Sequence, residues 1–133
     1  MTFQSFIVSG VSSFEFGESL ETIVNSLAKY SINEIDSDNG TYVIYFNGIE
    51  YLFDNKTLCL VQYEISRLKQ VYICRHKITE KTLLLDFKEY LEEICIKYNE
   101  DIINDQIVLL TESNVKIYFD YESKEFLTAL KSW

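Results

Sequence analysis

The chain has 133 residues, 47% of them hydrophobic, no proline, and a formal net charge of −9 from 21 acidic against 12 basic side chains. A chain this long buries roughly 70% of its unfolded surface, which makes 1–133 one domain that folds without metal or disulfide. Its acidity opposes nucleic acid and anionic membranes and favours a basic partner, while a single histidine and the absence of GxGxxG, P-loop, HExxH and GxSxG motifs argue against an enzyme, a metal site or a cofactor.

The opening MTFQSFIVSG has neither the basic start nor the long apolar run of a signal peptide, and no stretch reaches the length of a membrane span, which points to the cytoplasm. Residues 3–9 and 13–16 read as short strands around Gly10. Over residues 18–30, Leu20, Ile23, Val24 and Leu27 recur at helical spacing. Asp36, Asp38 and Asn39-Gly40 have the look of a calcium loop but lack its spaced ligands and closing glutamate, so they read as turn chemistry.

The clearest local signal is TYVIYF-NG-IEYLFD, 41–54. Asn-Gly suits a two-residue turn with positive φ at both positions, and it predicts a hairpin with Tyr42, Ile44, Phe46, Ile49, Tyr51 and Phe53 on one buried face. A third strand follows over 57–65, with Leu58 and Leu60 extending that face. Cys59, Val61, Tyr63 and Ile65 then make a second apolar row, which must be covered or form an interface.

Residues 71–77 read as a strand on which Cys74 and His76 share a face, yet about 7 Å apart and too far for a catalytic dyad. Leu83, Phe87, Tyr90, Leu91, Ile94 and Tyr98 form one stripe of a helix over 79–98. QIVLLT and VKIYF make a second hairpin, and SKEFLTALKSW a short terminal helix docking Phe126, Leu130 and Trp133. No linker or repeat divides the chain. The expected fold is α+β: an antiparallel sheet, with central meander 41–65 and C-terminal hairpin 106–119, packed with helices 18–30, 79–98 and the short C-terminal helix. Cys59, Cys74 and Cys95, odd in number and without CxxC spacing, read as free, mostly buried thiols.

Charge is uneven. Residues 1–65 hold nine acidic and two basic groups, a net of −7, whereas Arg67, Lys69, Arg75 and Lys77 form a basic strip that reads as an internal salt-bridge network. Asp36, Asp38, Glu50, Asp54 and Glu64 lie on segments able to leave the core. With Tyr45 and Tyr63 as low-entropy aromatic anchors, they are the expected partner-binding residues. A merely solvated acidic surface is the competing reading.

The stretch FEFGESLETIVNSL (Phe14–Leu27) followed by YVIYFNGIEYLFDNKTLCLVQ (Tyr42–Gln62) resembles small bacterial immunity proteins of polymorphic and contact-dependent-inhibition toxin systems. The resemblance covers roughly the first half. It implies a non-enzymatic protein, without cofactor, that binds the C-terminal domain of a cognate secreted toxin and occludes its active site. A nuclease toxin would present a basic cleft to such an acidic chain. The alternative is a scaffold or adaptor subunit forming a homodimer through the apolar sheet face.

Overall fold

The computed structural model describes residues 2–68 and 70–133; Lys69 of the basic strip lies outside them. Thr2 opens the first helix through a reciprocal cap: the Ser5 N–H donates to the Thr2 hydroxyl, and the Thr2 N–H to the Ser5 hydroxyl, each at 3.0 Å. Phe3, Phe6 and Ile7 are all buried, at i, i+3 and i+4, and Gly10 closes the helix in the left-handed region at φ +69. Phe3–Ser9 is therefore helix α1, not a strand, and 13–16 forms no strand either. Helix α2 spans Leu20–Ser26, capped by Ser19, whose hydroxyl accepts the Thr22 N–H at 3.1 Å. It ends short of the expected residue 30 because Leu27 is already extended, leading into strand β1, Ser31–Asp36.

Strands β2 (Thr41–Phe46) and β3 (Ile49–Asp54) pair in the register that Asn47-Gly48 predicts, Tyr42 opposite Phe53, Ile44 opposite Tyr51 and Phe46 opposite Ile49. Ile44, Ile49, Tyr51 and Phe53 are buried, while Tyr42 and Phe46 flank the core half-buried. A side chain at Gly48 would stand 2.6 Å from the Arg67 carbonyl oxygen, at φ +78, so only glycine fits.

Strand β4 (Thr57–Glu64) departs from the expected parity. Leu58 pairs with Phe53 but Leu60 with Leu52, leaving Cys59 as the extra residue of a β-bulge. One extra residue flips every later side chain to the other face. Val61 and Tyr63 thus enter the core, 0% and 3% exposed, and Leu60 moves to the opposite face. The second apolar row read from the sequence does not exist as such.

A 3₁₀ turn, Ile65–Arg67, leads to a small hairpin, β5 (Val71–Ile73) and β6 (His76–Ile78), in place of one strand. Helix α3 is Leu84–Glu93, not 79–98: Cys95 at φ +60 ends it, and Tyr98–Ile103 continues as strand β7. Strands β8 (Gln106–Thr111) and β9 (Lys116–Asp120) form the expected hairpin. The C-terminal segment is not a helix but strand β10, Phe126–Ser132, at the centre of the sheet between β4 and β9.

The fold is α+β, with eight antiparallel strands in the order β1-β2-β3-β4-β10-β9-β8-β7. That order exposes an internal repeat that the sequence reading had not anticipated. Each half is a helix followed by a four-strand meander, and the halves join edge to edge through β4 and β10. The residue before each helix bridges the start of its last strand, Ser19 with Thr57 and Leu83 with Glu125. Each last strand carries the bulge at the same place, Cys59 in β4 and Leu127 in β10. Phe53 and Phe119, Leu58 and Phe126, Ile44 and Leu109 occupy equivalent, buried positions.

All three helices pack apolar residues against the same face of the sheet. Phe3 and Phe6 of α1 meet Tyr63, with ring centroids 5.5 and 4.7 Å apart; Phe87 of α3 meets Phe119 and Phe126 at 5.3 and 5.2 Å; Ile23 of α2 is fully buried in the same core. The three cysteines are free, but only Cys59 is sheltered. Cys74 and Cys95 are exposed at turn positions with φ +52 and +60, which corrects their expected burial. Burial, aided by the Asp54 charge, raises the Cys59 thiol pKa, and its Sγ donates to the Leu52 carbonyl at 3.4 Å. A thiol reagent is expected to label Cys74 and Cys95 at least about tenfold faster than Cys59, read by mass spectrometry; equal rates would contradict this placement.

Candidate functional site: the open face of the sheet

Because the helices cover one face, side chains of opposite parity stand on a face without a helical layer. The registers align them in rows across the sheet. Tyr45, Glu50, Gln62, Leu130, Lys116 and Leu110 form one, each opposite the next. Glu64, Thr128, Tyr118, Val108 and Asp101 form a second, and Val43, Leu52, Leu60 and Ser132 a third. Half-buried leucines lie between polar and aromatic groups, an arrangement closer to a protein-binding surface than to a bare sheet.

Four of the expected partner residues lie on this face. Tyr45 and Glu50 are cross-strand neighbours, with the phenol oxygen 3.4 Å from a Glu50 carboxylate oxygen. Asp54 stands beside Thr41, whose hydroxyl donates to it at 3.3 Å. Arg67 ties the corner together, its guanidinium 4.1 Å from the Tyr45 ring centroid and its Nε donating to Glu64 at 3.1 Å. Asp36 pairs with Thr41 at the margin of the face, where it accepts the Asn39 N–H at 3.4 Å as a turn-forming residue, and Asp38 lies exposed in that turn. Tyr63 is the exception. The bulge turns it into the core, so it cannot serve as a surface anchor.

Lys116, Tyr118, Leu110 and Leu130 complete the face from the second half, and the sequence reading had not included them. Their signal was the second Phe-Asp pair, Phe119-Asp120, matching Phe53-Asp54 with the same alternation before it. Where the first half carries Glu50 and Leu52, the second carries Lys116 and Tyr118, so the two halves of the face differ in charge.

Beyond the ends of β4 and β10 the face runs into a cleft of about 700 Å³ bordered by Glu64, Glu80, Asp120 and Glu125. Lys81 enters it and approaches Glu125 at 3.6 Å. Hydrogen bonds from the Ser123 backbone and hydroxyl, outweighing desolvation and joined by the Glu122 N–H and the Lys124 charge, hold the Asp120 carboxyl below its ordinary pKa. Glu50, Asp36, Asp54 and Asp120 have no cation within 4.0 Å among the described residues. The face thus carries a net negative field, offset in part by Arg67, which lies in the field of Glu50 and Glu64, and by Lys116.

His76 contributes nothing to this surface. Its Nε2 lies 2.8 Å from a Glu93 carboxylate oxygen and its ring stacks on Tyr90 at 4.1 Å, which pins the β5–β6 hairpin to α3. Cys74 occupies the hairpin turn, its N–H donated to the Gln4 side chain at 2.6 Å. Among the described residues no group of three His, Cys, Asp or Glu side chains is placed to hold a metal ion, and no helix is long and apolar enough to cross a membrane. No protein-family model matches the chain, and it has no significant similarity to a curated protein or to a solved structure.

Proposed function

We propose that this chain is an immunity protein that binds the basic C-terminal domain of a cognate secreted toxin through the open face of its sheet and occludes the toxin's active site. The observation that carries the reading is the group of carboxylates Glu50, Asp54 and Asp36, none of them in an ion pair among the described residues, set among Tyr45, Leu52 and Leu60 on a sheet face without a helix over it. Carboxylates of this kind steer a basic surface into encounter and then form charge-assisted hydrogen bonds with its arginines and lysines. Half-buried leucines and tyrosines supply contact area once water is excluded. A nuclease is the best-fitting toxin, because its substrate cleft must be basic. The face carries more carboxylates than cations, Glu50, Asp54, Glu64 and Asp101 against Arg67 and Lys116, which favours a basic partner over a second copy of the same surface.

Association of this chain with the toxin domain encoded by a neighbouring reading frame is expected to slow by tenfold or more between about 0.05 and 0.5 M salt, as screening shortens the reach of the field from roughly 13 to 4 Å. Co-expression should restore growth of cells producing that domain. A salt-independent association rate, or growth inhibition that persists despite complex formation, would refute the proposal.

A further inference from the structure

Strand β7 is one edge of the sheet and is exposed from Asn99 to Ile103. Its pairing with β8 runs without a bulge from Tyr98 to Ile103, so its backbone groups alternate regularly between neighbour and solvent. The Lys97 carbonyl accepts the Glu112 N–H at 3.1 Å, which turns the backbone groups of Asn99, Asp101 and Ile103 towards β8 and those of Tyr98, Glu100 and Ile102 outwards. The outward N–H of Ile102 donates to the carboxylate of Asp101 beside it, at 2.8 Å. That oxygen stands in for the carbonyl an adjoining strand would supply.

The opposite edge is built differently. In β1 a bulge at Ile35, between Glu34 and Asp36, interrupts the alternation, one of the devices that keep an edge from pairing. β7 has no bulge, no proline and no lysine along its length, and it exposes Ile102 and Ile103, 57% and 44%, on its two faces. Its charges are acidic. Glu100 is matched by Lys88 of α3, whereas Asp101 is in no ion pair among the described residues.

These charges select a basic occupant. A second β7 set antiparallel over all six residues would place Glu100 opposite Asp101 twice, and the neighbouring registers would set Glu100 against Glu100 or Asp101 against Asp101. A cation opposite Asp101, by contrast, compensates the carboxylate that an incoming carbonyl displaces from the Ile102 N–H. It does so at close range. With its own backbone turned towards β8, Asp101 would face the new strand as a non-hydrogen-bonded pair, the kind with Cα atoms only about 4.5 Å apart.

We propose that β7 accepts an antiparallel strand from a basic segment of another protein, with lysine or arginine opposite Asp101 and apolar residues opposite Ile102 and Ile103. The surface is the edge of the sheet rather than its open face, and its test needs no toxin domain, so it stands or falls separately from the immunity reading.

The octapeptide Thr-Val-Ile-Arg-Thr-Lys-Val-Thr sets its Val, Ile and Arg opposite Ile103, Ile102 and Asp101 when its central Thr faces Glu100. In NMR titrations of the full chain it is expected to shift the amide resonances of β7 and β8 saturably and to slow hydrogen exchange at Tyr98, Glu100 and Ile102. N-methylation of the central Thr, whose N–H would donate to the Glu100 carbonyl, should weaken binding about tenfold, whereas N-methylation of the Arg, whose N–H points away from β7, should change it no more than about twofold. Replacing that Arg with Glu, or Asp101→Asn in the chain, should weaken binding about fivefold or more, with the exposed Asp101 variant melting like the parent. No saturable binding, equal losses from the two N-methyl peptides, or shifts centred away from β7 would overturn the proposal, as would dimerisation of the chain through β7 in the absence of peptide.

Discussion

Replacing Phe119 with alanine is expected to cost about 3 to 5 kcal/mol of stability, and Phe53→Ala about as much, because each removes a fully buried ring from the equivalent place in one half of the sheet. Phe119 packs edge-on against Phe87 of α3, with centroids 5.3 Å apart, and against Phe126 at 5.9 Å, so its loss opens a cavity between the second meander and its helix. Phe53 has the same role beside Leu58, and the two losses should be similar if the units are structural equivalents. Both should lower the melting temperature by roughly 10 °C or more. Tyr118→Ala, next to Phe119 but on the open face, should cost about 1 kcal/mol or less. Denaturant melts that rank Tyr118→Ala above either phenylalanine would show that the core lies on the other face.

The bulge supports a sharper contrast. Val61→Asp should prevent stable folding, since it places a carboxylate in a fully buried position without a partner, a loss of more than about 4 kcal/mol. Leu60→Asp, one residue earlier, should cost about 1 to 2 kcal/mol, because Leu60 is half-exposed opposite Leu52 on the open face. The unbulged strand read from the sequence reverses that order. Circular dichroism and urea melts of the two variants decide between the registers.

These residues also mark how far the sequence could be read. Asn47-Gly48 announced its hairpin because turn chemistry and apolar alternation agreed. The matching turn at Asn104-Asp105, with φ +50 and +61, carries aspartate where glycine would have signalled it, and β7 went unseen. β1 and β7 are the edges of the sheet, SINEID and YNEDII, exposed along nearly their whole length and therefore without a buried face to impose a period of two. The C-terminal FLTALKS is rich in helix formers, but pairing with β4 and β9 overrides local propensity, and Ala129 fills a fully buried position between them. In α1 the strand-like FQSFIVS concealed spacing that the Thr2–Ser5 cap and Gly10 make helical. The candidate face was legible as far as Glu50 and Tyr45, on strands whose parity the turn fixed. Beyond Cys59 it was not, because a single extra residue exchanges the two faces without changing composition.

The most direct test of the open face as the binding surface compares two double charge reversals that alter net charge equally. Glu50→Lys with Asp54→Lys changes the open face, and Glu21→Lys with Glu89→Lys changes exposed positions on α2 and α3 on the opposite side. Association rates with the cognate toxin domain, measured by stopped flow at low salt, should fall about tenfold or more for the first pair and no more than about twofold to threefold for the second, both variants melting like the parent. Equal slowing by the two pairs, or a larger effect from the helical side, would contradict the account.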